Sequence, residues 1–303
     1  MQAPDDFNPI VGMAEVLTAN VRRIVAPNPS PMTYRGTNTY LVGTQDLAVI
    51  DPGPLDISHL EAILAACDAT QRITHIMVSH THLDHSPLAK PLSERTGAPV
   101  WAFGTAQSGR SQIMDTLAAS GLTDGGEGID HAFVPDHVLQ DGQSLEGDDW
   151  RLEAIHTPGH LGNHICMALG DLCFTADHVM GWASSLVSPP DGDLTDFMAS
   201  CARLQERDWR RFFPGHGATI DAPHARLEWL IRHRKSRETA ILDALGTTPA
   251  TARTLTQAVY TDTPTALLPA AERNVLAHLI DLMNKSKIKA LGPLNSDARF
   301  SRL

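Results

Sequence analysis

No apolar run in this chain approaches the ~20 residues that cross a bilayer, so a transmembrane helix is excluded and no membrane partner is expected. The opening segment MQAPDDFNPIVG holds two acids and no basic residue, and therefore lacks the charged start of a secretory signal. Cysteine is scarce. Cys67, Cys166, Cys173 and Cys201 are the only four, and none forms a C-x-x-C pair. They make no disulfide framework; buried free thiols in a reducing cytoplasm are the expectation. There is no G-x-S-x-G turn to carry a nucleophilic serine and no Gly-rich phosphate loop of the Walker type. Internal repeats and low-complexity tracts are also lacking.

What is present is an ordinary globular composition, 42% apolar and 19% charged, with an uneven charge and an excess of one residue. Residues 1–229 carry 13 Lys+Arg against 29 Asp+Glu, a net of −16, whereas residues 230–303 carry 11 against 6, a net of +5. This asymmetry places a domain boundary at 229/230, and the acidic body argues against non-specific polyanion binding. The excess is in histidine: 15 of 303 residues, and clustered, which directs attention to metal binding.

Short apolar runs bounded by turn residues predict strands over 37–43, 46–51, 72–79, 150–157, 164–169 and 171–177. Helical spacing predicts helices over 57–67, capped by Asp56 or Ser58, and over 195–207. Strands interleaved with helices indicate sheets covered by helices, an α/β class. From Pro223 the pattern changes to helices over 225–245, 254–262 and 267–285, followed by two short strands around Gly-Pro-Leu-Asn-Ser. That order is the outline of a winged helix.

The segment SHTHLDHS, residues 79–86, follows the apolar strand RITHIMV and places His80, His82, Asp84 and His85 within six residues. Imidazole and carboxylate suit zinc and similar first-row metals. An extended loop aims His80 and His82 the same way, and Asp84 and His85 come a turn later, so one segment can serve two ions. His160 in HTPGHLGN, Asp177 at the end of LCFTAD and His216 in FFPGHGATI each sit where a strand delivers a side chain to a sheet edge. Gly159 and Gly215 permit close backbone approach there.

The order HTHLDH, GH, a strand-ending Asp, then PGHG resembles the metallo-β-lactamase superfamily over roughly residues 20–220. The resemblance implies an αββα sandwich. His80, His82 and His160 would bind one metal, Asp84, His85 and His216 a second, and Asp177 would bridge them. Class B β-lactamases typically place Cys at the Asp177 position, and flavodiiron oxidases place Glu at the His82 position. NPSPMTYRGTNTYLV, SSLVSPPDGDLTDFMASCARL and the terminal winged helix are similar to the β-lactamase-like protein 2 branch, in which the small domain packs near the active-site mouth. The implied cofactors are two divalent ions, zinc first, with iron or manganese as alternatives. Metal coordination lowers the pKa of water from about 15.7 to near 7, so the expected chemistry is attack by a metal-bridging hydroxide, with Asp84 orienting it and taking its proton.

Around that centre, Asp51 is expected to support the His80–His85 loop through hydrogen bonds, and His164 to assist as a neighbour or catalytic group. Strand alternation sends His178 to the other side from Asp177. The loop 27–36 is a candidate lid, with Met32 and Tyr34 against substrate. Two substrate classes remain: a small ester, thioester, lactone or amide, and single-stranded RNA cleaved by an endoribonuclease of the β-lactamase-like protein 2 type. The basic run RHRKSR (232–237) is either an RNA contact or a solvated helix face. The terminal domain is expected to shape the active-site mouth or a homodimer interface.

Overall fold

A computed structural model of the chain describes residues 7–122, 128–295 and 297–303; MQAPDD, half of the opening segment read above, lies outside them. Seven strands form the first sheet in chain order: β1 (Glu15–Thr18), β2 (Val21–Val25), β3 (Asn38–Val42), β4 (Asp46–Ile50), β5 (Arg72–Met77), β6 (Val100–Ala102) and β7 (His137–Val138). The second sheet contains β8 (Ser144–Glu146), β9 (Arg151–His156), β10 (Ile165–Leu169), β11 (Leu172–Ala176) and β12 (Arg211–Pro214), in the order β12-β11-β10-β9-β8.

Alternation along the strands makes the two sheets face each other. Tyr40, Val42, Ala48, Ile50 and Met77 meet Leu152, Ala154, Ile165, Met167, Phe174 and Phe213 in the space between the sheets. The intervening residues point outward. Leu41, Leu47, Val49 and Ile76 are covered by Leu60 and Ile63 of helix α1 (Ile57–Ala65) and Leu92 of α2 (Ala89–Thr96). On the opposite side Ile155, Cys166, Ala168, Cys173 and Phe212 are covered by Phe197, Cys201 and Leu204, carried on a later helix. The result is the αββα sandwich. Asp56 is the residue that caps α1, its carboxylate accepting from the His59 backbone N–H at 3.0 Å.

Helix α3 (Gln112–Ala119) lies in the long connection before β7, and α4 (Leu194–Gln205) is the helix that carries Phe197, Cys201 and Leu204. Helix α5 runs from Pro223 to Leu245 and is shared between two cores: Leu227 and Leu230 pack under the second sheet, and Ile241 and Leu245 pack in the terminal unit. That unit adds α6 (Ala252–Val259), α7 (Leu268–Asn284) and a small sheet of β13 (Ala250–Thr251), β14 (Ile288–Ala290) and β15 (Arg299–Arg302) in the order β13-β15-β14. Its core also takes in Met114, Leu117 and Leu122 from α3 and the segment behind it. The two parts are therefore joined by buried apolar contact as well as by the chain. Among the described residues no helix is long and apolar enough to cross a membrane.

Strands β4, β5 and β6 are parallel, as are β11 and β12. The segments leaving β4, β5, β9, β11 and β12 consequently gather at one edge of the sandwich, where the histidines lie.

Candidate metal centre

Asp51 directly follows β4 and adopts a left-handed backbone at φ 50°, a conformation that needs outside support in a non-glycine residue. Thr39 Oγ1 supplies it by donating to the Asp51 carbonyl at 2.6 Å. The Asp51 carboxylate then organises the loop after β5. It accepts from the Ser79 N–H and the Ser79 hydroxyl, both at 2.7 Å, and from His85 Nδ1 at 2.9 Å. The Ser79 hydroxyl proton is thus committed to Asp51, so Ser79 Oγ accepts from His80 Nδ1 at 2.9 Å. This fixes the His80 tautomer and leaves its Nε2 lone pair facing inward.

The same logic applies to His160, whose Nδ1 donates to the Leu186 carbonyl at 2.7 Å. His80 Nε2 and His160 Nε2 stand 2.9 and 3.1 Å from His82 Nδ1. Two lone pairs and a third ring nitrogen therefore converge where at most one proton is available. Neutral imidazoles repel in that arrangement, and a cation between them removes the conflict. Burial pushes the His80 pKa well below its ordinary value and that of His82 to about 3, so both are neutral, as ligands must be.

The second cluster lies beside the first. His216 Nε2 is 3.1 Å from Asp84 Oδ2 and 3.3 Å from Asp177 Oδ1, and His85 Nε2 is 3.4 and 3.5 Å from the same two oxygens. The outer nitrogen of His216 faces the Gly36 carbonyl at 3.2 Å. Burial lowers the imidazole pKa values here, but the surrounding carboxylates outweigh it, holding His85 well above its ordinary value and His216 at about 10. The position thus favours positive charge. Conversely, burial raises Asp84 and Asp177, yet the adjacent His85 and His216 keep both well below the usual carboxylate range.

Asp177 lies one residue beyond β11, after Ala176 at φ 40°. Its Oδ1 faces His85 and His216, while its Oδ2 is 3.7 Å from His160 Nε2. The buried atoms His85 Nε2 and Asp177 Oδ1 have no hydrogen-bond partner among the described residues. Ligand atoms of His80, His82, His160 and Asp177 lie within 4.8 Å of one another, as do those of Asp84, His85 and His216. All seven residues singled out in the sequence are therefore brought together in two groups, and the donor set fits divalent ions.

Gly215 shows how tightly this is built. A Cβ there would lie 2.4 Å from Asp177 Oδ1 and 2.9 Å from His85 Cε1. At Gly159, with φ 139°, a Cβ would meet the Phe197 backbone at 2.3 Å.

His164 is fully buried. Its Nδ1 contacts Thr157 Oγ1 at 2.9 Å, and its ring stands 5.1 Å behind that of His80. It packs against a ligand ring and does not reach the cleft. His178 faces the other way, its Nε2 3.5 Å from Cys201 Sγ in α4. In the candidate lid, Tyr34 stacks on Trp182 at 5.3 Å and Met32 is exposed. Within the basic run, Arg234 is only 3% exposed, so the run is neither a continuous solvated face nor a continuous patch; Arg232, Lys235 and Ser236 are its exposed members.

Beyond Asp51, sequence reasoning missed the residues that orient the candidate ligands. Ser79 carries the visible signal of a polar side chain at a strand end beside the histidine cluster. Thr37 donates to Asp84 Oδ2 at 3.3 Å and is gripped by Asn28 at 2.9 Å. The Leu186 carbonyl has no side-chain signature. It is held in turn by the terminal unit: Arg234 donates to the Ser185 carbonyl, and Asn274 Oδ1 of α7 accepts from the Val187 N–H at 3.1 Å and from Arg234 at 2.9 Å. Arg273 donates to Ser188 Oγ at 2.9 Å and to the Pro189 carbonyl.

Comparison with known proteins agrees with this geometry. Residues 32–216 match the family described as the metallo-beta-lactamase superfamily, and residues 251–293 match the beta-lactamase associated winged helix domain. The chain is 32% identical over 287 residues to the Drosophila melanogaster "Beta-lactamase-like protein 2 homolog", covering 90% of this chain and 91% of that protein. It is 28% identical over 288 residues to the "Atrochrysone carboxyl ACP thioesterase" of Aspergillus fumigatus, covering 89% and 82%. A beta-lactamase domain protein from Burkholderia ambifaria superposes with a TM-score of 0.80 at 20% identity, covering 100% of this chain and 97% of that one, a likeness of fold.

Proposed function

The chain belongs to the metallo-β-lactamase superfamily and is a metal-dependent hydrolase with a C-terminal winged helix, and from that premise we propose that it hydrolyses a small ester, thioester, lactone or amide at a centre of two divalent ions. The observation that carries this reading is the division of the seven ligand atoms into two adjoining groups, with the oxygens of Asp177 turned to both. His80, His82 and His160 would hold one ion, Asp84, His85 and His216 the other, and Asp177 both. An all-nitrogen-and-oxygen donor set favours zinc, with iron or manganese compatible. When bound, such ions polarise a carbonyl oxygen and bring the pKa of water close to neutrality.

The chain's own residues do the rest. Asp51, Ser79, Leu186 and Gly36 fix the ring orientations, so that little reorganisation accompanies reaction. Asp84 has a side chain 25% exposed, against 10% for Asp177. That exposure suits Asp84 to orient the attacking water and accept its proton on the carboxylate. We place the division between catalytic and winged-helix domains at 229/230, within α5. The thioesterase name of one relative supports carbonyl chemistry. The alternative, single-strand RNA cleavage, is disfavoured by the burial of Arg234 and by Arg237 lying 4.6 Å over the Tyr260 ring.

The test is a parallel panel of p-nitrophenyl esters, thioesters, lactones, bis(p-nitrophenyl) phosphate and single-stranded RNA, with elemental analysis of the same preparation. Turnover of a carbonyl substrate at two ions per chain is expected. Asp177→Asn, nearly isosteric, should keep the fold while losing at least one ion and most activity. Cleavage of RNA alone, a stable single ion per chain, or full activity of Asp177→Asn with two ions bound would overturn this reading.

A further inference from the structure

A cavity of about 370 Å³ opens between the two parts of the chain, in the size range of small-molecule sites. Its walls come from the candidate lid at Met32, the segment after β11 at Trp182 and Leu186, α5 at Trp229 and Arg237, and the residue after α6, Tyr260. It is linked to the candidate metal centre through Leu186. Leu186 contributes to the cavity wall, while its carbonyl accepts from His160 Nδ1 at 2.7 Å. Two larger surface hollows, one beside Lys90 and Asp136 and one around Ala218 and Ile220, share no Leu186 wall.

The chemistry of the lining is selective. Three aromatic rings, Trp182, Trp229 and Tyr260, provide flat apolar surface. Among the described residues no carboxylate lines the cavity, although the chain carries a net charge of −11. The imidazole of the lining, His233, lies flat on Trp229 at 4.9 Å; burial, helped by Arg234 and Arg237, lowers its pKa to about 4. Arg237 therefore supplies the positive charge of the lining. Its guanidinium is steadied by the Tyr260 ring and by one bond to the Val259 carbonyl at 3.1 Å. No carboxylate of the described residues forms an ion pair with it.

Resting on the hydrolase reading above, we propose that this cavity is the acyl subsite, and that the acyl group it takes is apolar or aromatic and bears an anionic carboxylate recognised by Arg237. The apolar part lies along the tryptophans, the carboxylate meets the guanidinium, and the scissile carbonyl emerges past Leu186 toward the metal ligands. A guanidinium suits a carboxylate through its planar fork of donors.

Binding can be read without turnover. The holoenzyme should bind one equivalent of 8-anilinonaphthalene-1-sulfonate, an aromatic anion, with quenching of tryptophan fluorescence. Arg237→Gln should weaken that binding at least fivefold, Arg237→Lys should restore most of it, and both should bind neutral N-phenyl-1-naphthylamine within twofold of the natural protein. Trp229→Ala should weaken both dyes. In turnover, the mono-p-nitrophenyl ester of suberic acid should exceed p-nitrophenyl octanoate in kcat/KM at least tenfold, a preference lost in Arg237→Gln with unchanged melting temperature. Equal dye binding by natural protein and Arg237→Gln would overturn the role of Arg237. Dye binding that leaves ester hydrolysis uninhibited would overturn the subsite while sparing the hydrolase reading. Hydrolysis of no ester, thioester, lactone or amide, with Arg237-dependent dye binding intact, would remove the hydrolase reading and leave an anion site. A phosphomonoester-bearing ester preferred over the carboxylate would overturn the carboxylate assignment, and displacement of the dye by RNA that is then cleaved would overturn both readings.

Discussion

Replacing Asn274 by Leu tests whether the terminal domain holds the candidate metal ligand His160 in place. The change is close in volume but removes the Oδ1 acceptor shared by the Val187 N–H and the Arg234 guanidinium. Leaving a buried donor without its partner costs about 1–3 kcal/mol, more when the group is charged. Two donors are stranded here, one on a guanidinium only 3% exposed that keeps its bond to the Ser185 carbonyl, so a loss of about 3–4 kcal/mol of stability follows. The functional consequence is separate. Ser185 and Val187 flank Leu186, whose carbonyl orients the His160 ring. Partners of metal-bound histidines are worth about 10–100-fold in metal affinity. Asn274 acts one peptide further out, which places the expected loss near the lower end, about tenfold. Asn274→Asp keeps the acceptor and adds a charge opposite Arg234, so it should retain metal affinity. The assay is competition against a chelator with elemental analysis of the retained metal, beside denaturant unfolding of the same variants. If Asn274→Leu loses stability yet holds both ions as tightly as the natural protein, the Leu186 carbonyl is positioned by other contacts and the reasoning fails.

Gly215→Ala should lower metal content and melting temperature together, because the added methyl would lie 2.4 Å from Asp177 Oδ1 and 2.9 Å from a fixed His85 ring; elemental analysis and thermal unfolding decide, and a fully loaded variant with natural stability would refute it. His278 is 1% exposed with neither ring nitrogen bonded, and burial, reinforced by Arg234, lowers its pKa from 6.5 to about 3. Below pH 6.5 the unfolded chain takes up a proton that the folded chain refuses, so stability falls as pH drops toward 3, by about 2 kcal/mol at pH 5 from this residue; His278→Leu should shrink the difference in unfolding free energy between pH 8 and pH 5 by that amount, and an unchanged difference would count against it.

The histidine cluster was legible because its chemistry is compressed into six residues, and a chance polar loop seldom concentrates three imidazoles and a carboxylate. Strands β3 to β5 and β9 to β11 were legible because each carries a run of apolar side chains between turn residues. Strand β2 was not, since its sequence VRRIV interrupts the run with Arg22 and Arg23. The structure buries Arg23 by bonding it to Glu15 at 2.6 Å and to the Gly217 carbonyl at 3.2 Å, partners 8 and 194 residues away. Helix α3 escaped notice for a related reason: its apolar face, Met114 and Leu117, is completed by residues of the terminal domain. Local pattern can report only what local sequence satisfies.

Other bonds that set the orientation of the candidate ligands fall outside local pattern. Backbone carbonyls of Leu186 and Gly36 receive two of the histidines, and any residue type offers the same carbonyl. Their positions depend on long-range contacts, Val187 with Asn274 and His216 with the turn before β3. The winged helix thereby acquires a role that requires no nucleic acid. Its core includes α3 and half of α5, its α7 grips the segment 187–189, and its Tyr260 lines the cavity beside Leu186. A helix that both walls a pocket and braces the loop that orients His160 would couple what enters the pocket to how that ring is held. A change at Arg237 should isolate the pocket, since it leaves the bonds to the loop in place, whereas a change at Asn274, which lines the pocket and also holds Val187, should move both.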